Sequence, residues 1–175
     1  MADRTAYEEL VKKTRDIQLL VSTAGVLGWD ERTYMPRSAS QLRADQLGLL
    51  AGMIHEQFTS PRIGELLSKI EQTDLIKDPE SVEAANIREI RHQYDKQTKL
   101  PKSLVEEITK VTTLSQSDWM TARKTNDFKM FEPWLDKIFG LMRQKAEAFG
   151  YTGEPYNALL DEYEPGATTE QISQV

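Results

Sequence analysis

The 175 residues carry 22 Lys and Arg against 28 Asp and Glu, a formal net charge of -6, with 39% apolar and 29% charged residues. That balance supports a folded core of about one domain and argues against compositional disorder or a basic nucleic-acid surface. The lack of cysteine rules out a disulfide scaffold, a thiolate metal site and a cysteine nucleophile. No apolar run approaches a membrane span, and Met1 to Thr5 lack the basic-then-apolar run of a signal peptide. The expectation is a soluble, cytoplasmic chain.

In chain order, Tyr7, Leu10, Thr14, Ile17, Val21 and Ala24 recur at three- and four-residue intervals, one face of an amphipathic helix. Thr5 with Glu8 reads as its capping box, and Pro36 closes the region. Ser38 with Gln41 offers a second box, and Leu42, Leu49, Leu50 and Met53 carry a helix to about Phe58. Ser60-Pro61 restarts the chain as a hydroxyl cap before an N-terminal proline. Asp78-Pro79 repeats the device ahead of Val82, Ile87, Ile90 and Tyr94.

Leu100-Pro101 opens a helix with Leu104, Ile108, Val111, Ser115, Trp119 and Ala122 on one face. Asp127 caps the next, whose stripe is Phe131, Leu135, Ile138, Phe139, Met142, Ala146 and Phe149, with Pro133 early and Gly150 as terminator. Strand-like alternation is nearly absent. The fold expected is all-α, an antiparallel bundle of long helices joined by short turns. After the Pro165-Gly166 turn, Thr168 and Gln171 form another box ahead of Ile172 and Val175. That start signal so close to Val175 suggests a piece of something longer.

Residues able to carry chemistry are few. His55-Glu56-Gln57-Phe58-Thr59 begins like the zinc-protease motif H-E-x-x-H, which needs imidazoles four apart on one helical face to grip the metal. Thr59 stands where the second imidazole belongs, so a polar helix end is expected. His92 lies three residues after Glu89 and three before Asp95, a spacing that suits ion pairing on a solvated face.

The acidic pairs Glu8-Glu9 and Glu106-Glu107, and Asp161 with Glu162 and Glu164, are neighbours in sequence. Adjacent helical positions diverge by about a hundred degrees, so they do not face each other as two-carboxylate catalysis requires. Nucleophile-elbow, P-loop and dinucleotide fingerprints are absent. Trp29-Asp30 suggests a buried corner in which an indole N–H finds an acceptor. Trp119, Trp134, Phe128 and Phe131 gather about one interhelical turn, chiefly as core.

Several segments together resemble the carboxypeptidase Taq family of thermostable metallocarboxypeptidases. Leu27-Gly28-Trp29-Asp30, Thr33 and Met35-Pro36 are similar to its N-terminal signature, followed by Arg43, Gln46-Leu47, His55 and Ile63-Gly64. Asn86, Arg88-Glu89, Arg91, Tyr94-Asp95, Leu100-Pro101 and Leu104-Val105 match the next block. Trp119, Ala122-Arg123, Asp127-Phe128, Phe131 and Pro133 match the one after. The most specific segment runs from Pro155 to Gly166, with Asn157 where the family has Asp.

The resemblance implies an almost wholly helical peptidase that removes C-terminal residues from peptides with zinc or cobalt. Its ligands and general base lie in an H-E-x-x-H helix and a later Glu, positions that do not occur in this sequence. No catalytic or metal residue carries over, and substrate-binding residues remain unassigned. What carries over is the part played by the N-terminal helices, one wall and the cap of a substrate cleft. Residues 1–175 are then one helical domain or the N-terminal part of a larger catalytic one, inactive alone and with peptide as the whole enzyme's substrate. Homodimerisation or other self-association is expected. The alternative is a free-standing helical interaction module without enzymatic activity. An independent carboxylate hydrolase has only the acidic pairs in its favour.

Overall fold

The computed structural model describes residues 2–174, with side chains from Arg4 onward. It contains α1 (Ala2–Thr33), α2 (Ser40–Phe58), α3 (Pro61–Ile70), α4 (Val82–Gln97), α5 (Lys102–Thr125), α6 (Phe128–Phe149), α7 (Tyr156–Leu160) and α8 (Thr169–Ile172). Short 3-10 turns at Arg37–Ala39 and Asp74–Ile76 join them, and no strand occurs among the described residues. The fold is all-α, as expected.

Several helix ends follow their local chemistry. The Asp127 carboxylate accepts from Met130 N–H, directly after Asn126, whose left-handed φ of 55° stops α5. An asparagine tolerates that conformation better than most side chains. The Thr168 and Gln171 box is present in full at α8; Val175, the last residue of that expected helix, lies outside the described residues.

Other starts are displaced. Thr5 and Glu8 lie within α1 rather than at its beginning. Ser38 sits in the 3-10 turn, and α2 starts at Ser40 after an Ala39 cap that makes no side-chain bond. Ser60 precedes an N-terminal proline as expected but makes no side-chain cap bond. Asp78 accepts from Glu80 N–H in a turn, while the α4 cap is Ser81, accepting from Ala84 N–H.

Two apolar clusters organise the chain. The first joins Tyr7, Leu10 and Ile17 of α1 to Ile63, Leu66, Leu67 and Ile70 of α3 and Ile87 of α4, with Phe58 and Tyr94 packed against it. The second joins Leu104 and Val111 of α5 to Leu141, Ala146 and Phe149 of α6 and Ala158 of α7. Between them, α2 packs extensively on α5. The contact uses small residues: a Cβ on Gly48 would sit 2.7 Å from Lys110 Cε. The long stems of Lys110, Lys102 and Glu106 therefore lie directly over the glycines of α2.

That packing overturns the expected face of α2. Ala44, Leu47, Gly48, Gly52 and His55 are buried, whereas Leu42, Leu49 and Met53 face outward. Phe139 of α6, Trp119 of α5 and Val82 of α4 are likewise exposed, and Leu141 takes the inward place on α6. No helix among the described residues is long and apolar enough to cross a membrane.

Candidate functional site

His55 and Glu56 part company at the end of α2. His55 is buried, correcting the polar-end expectation, while the Glu56 carboxylate accepts from Lys102 Nζ at 2.9 Å. A metal and its water-polarising carboxylate need convergence, and these side chains take different directions. Thr59 spends its hydroxyl on the His55 carbonyl at 2.7 Å.

His92 is half-exposed, and its carboxylate partner is Asp161, distant in sequence, at 3.3 Å. Glu89 makes no ion pair with it, and Asp95 instead pairs with Arg91. Lys96 Nζ donates to the same Asp161 oxygen at 2.7 Å, and Gly166 N–H donates to the other at 3.0 Å. The Lys96 hydrogen bond is the main cause holding the Asp161 carboxyl below its ordinary value, against a smaller opposing effect of burial. An ammonium so close competes with any divalent cation, so this group does not fit a metal. Among the described residues no cluster of three or more His, Asp or Glu could hold one.

The cluster has a positional consequence. It ties the segment after α6 to α4, and Lys145 Nζ holds Glu162 at 2.7 Å nearby. The Asn157 side-chain oxygen accepts from Thr169 N–H at 2.8 Å and so fixes the entry to α8. The segment around α7 is thus held by charge and amide contacts on the bundle end.

The other acidic pairs separate in space. Glu9 receives two bonds from Arg62 at 2.7 and 2.8 Å, while Glu8 faces Arg4 at 3.6 Å. Glu107 pairs with Lys137 and Glu106 with Lys102. Each of these four carboxyls pairs with a different cation.

Trp29 is exposed, not the buried corner expected; its ring lies 5.5 Å from that of Tyr34. Asp30 is the residue held, accepting from Arg43 Nη2 at 2.7 Å, while Arg43 Nη1 donates to the Leu27 carbonyl. This pins the C-terminal end of α1 to α2 beside a cleft of about 500 Å3 that Trp29, Glu31, Leu47, Thr113 and Gln116 help to line. Burial raises the Glu31 carboxyl above its ordinary value, partly offset by Arg32 and Arg43. The indole that does find an acceptor is Trp134, donating to Asp118 at 2.7 Å across α5 and α6. Those partners are 16 residues apart, and no local spacing announces them.

Residues 9–175 match the family described as carboxypeptidase Taq (M32) metallopeptidase. Thermostable carboxypeptidase 1 of Thermus thermophilus is 35% identical over 98% of this chain and 36% of its own length. The "BsuCP" crystal structure superposes with a TM-score of 0.90 at 26% identity, over 97% of this chain and 34% of that one. The Pyrococcus furiosus carboxypeptidase structure gives 0.76 at 31% identity, over 97% and 33%. The chain spans about a third of the length of the curated relatives it matches.

Proposed function

Because this chain belongs to the carboxypeptidase Taq (M32) metallopeptidase family, we propose that it builds the N-terminal helical wall and cap of a substrate cleft. The enzyme so formed removes C-terminal residues from peptides with zinc or cobalt, in the cytoplasm. Residues 1–175 are then the N-terminal portion of a larger catalytic domain. The observation that carries this reading is the family match along nearly the whole chain.

On this reading the chain contributes shape and the catalytic centre lies in other residues of the enzyme. Zinc added to the isolated chain should bind no better than to a generic acidic surface, with no metal-dependent release of a C-terminal residue from a blocked peptide. A tight stoichiometric site by calorimetry, lost in His55→Ala or His92→Ala, would overturn the assignment.

The outward stripes support the same reading. Leu19 and Val26 on α1 and Leu42 and Leu49 on α2 are each more than 60% exposed. Exposed apolar area of this kind favours association. The isolated chain should therefore self-associate, its weight-average mass by light scattering rising with concentration. A constant monomer mass with no binding of an apolar dye tells against this.

A further inference from the structure

Helices α1, α2, α4 and α5 meet around a cleft of about 300 Å3. Ile17, Val21, Phe58 and Val105 supply an apolar lining, into which His55 and the carboxamides of Gln18, Gln93 and Gln97 are set. No lining residue is an acid, a lysine or an arginine. Among the described residues the three glutamine side chains make no hydrogen bond to protein; Gln18 and Gln93 sit at the exposed rim and Gln97 is half-buried. His55 is more than nine-tenths buried, and its Nδ1 is enclosed without a partner.

An enclosed, unpaired ring nitrogen costs less as a lone pair than as an N–H, so the favoured tautomer carries its proton on Nε2. That leaves Nε2–H as the imidazole's donor. Each carboxamide can both donate and accept. The four groups therefore suit a ligand edge that also does both, above a surface that suits a hydrocarbon body. Without a countercharge in the lining, a carboxylate or ammonium would lose its hydration uncompensated. The volume is at the small end of ligand pockets, about the size for one blocked residue.

We propose that this cleft binds a small, uncharged molecule with an apolar body and an amide edge. The body lies on Ile17, Val21 and Phe58, and the amide meets His55 with Gln93 and Gln97. The proposal holds whether or not the chain serves as a cleft wall.

The probe is N-acetyl-leucine amide, titrated into the full 175-residue chain while the His55 imidazole resonances are followed by NMR. A saturable shift is expected. Gln93→Leu and Gln97→Leu should each weaken binding by about fivefold or more, the scale of one lost hydrogen bond. Zwitterionic leucine and 2-methylpentane, which lack the neutral amide, should bind at least about tenfold more weakly. Three results would overturn the proposal: no saturable shift up to the solubility limit, 2-methylpentane binding as tightly as the amide, or unchanged affinity in both folded glutamine variants.

Discussion

Leu10→Ala should lower the free energy of unfolding by about 3–5 kcal/mol, and Ile63→Ala by about 2–5 kcal/mol. Both side chains are 0% exposed and belong to the cluster that clamps α1 onto α3. Truncation removes the transfer energy of the lost methyl groups and leaves a cavity walled by Leu66, Leu67 and Ile70, neighbours that themselves are buried. By contrast Leu135 and Ile138, expected from sequence to face inward, are only part-buried in α6, so their alanine variants should cost distinctly less. Urea denaturation decides between these, since a core loss shifts the midpoint at constant slope. A change below about 1 kcal/mol for both Leu10→Ala and Ile63→Ala would remove this cluster from the centre of the fold.

Asp161→Asn should destabilise the docking of α7 by about 1–3 kcal/mol, the scale of hydrogen bonds made to charged groups. The amide keeps the shape but not the charge, leaving the largely covered Lys96 ammonium without its carboxylate. Asp161 has a depressed folded-state pKa. Its contribution is therefore fully present above the ordinary value of 3.8 and is lost as pH falls through the lower folded value. The gap in stability between the native chain and Asp161→Asn should be widest near neutrality and narrow on acidification. An equal gap from neutral to strongly acidic pH would show that the carboxylate charge is not what holds the segment. Exchange of the amides of residues 156–172 would show the same loosening locally.

What was legible in the sequence depended on range. Asp127, Pro101 and the Thr168–Gln171 box act within one helical turn, and each marks a real boundary. At Asp78-Pro79 the local pattern points to the wrong residue: Asp78 accepts from Glu80 N–H in a turn, and Ser81, three residues on, caps the helix. The side-chain face of α2 differs from the expected one for a different reason. Periodicity places leucines inward, but the close approach of α5 selects Gly48 and Gly52 for the contact. Leu42 and Leu49 are left outside, while Leu47 is buried. Long-range pairs such as Lys96 with Asp161, or Arg43 with Asp30, have no local signature, because only the folded bundle brings their helices together. His55 was found as half of a motif; its burial and unpaired nitrogen became visible only in three dimensions. The family resemblance was legible because many weak matches occur in one order along the chain, which agrees with the match over residues 9–175.

The proposed part in a peptidase cleft is tested most directly by a chimera. In it, this chain replaces the matching third of the Thermus thermophilus carboxypeptidase, to which it is 35% identical. Release of C-terminal residues from a blocked peptide is then measured with zinc or cobalt. Metal-dependent release is the predicted result, because the chain would restore a wall while the recipient keeps the catalytic centre. A folded, metal-loaded chimera that releases no C-terminal residue would contradict the proposal and favour a free-standing helical interaction module.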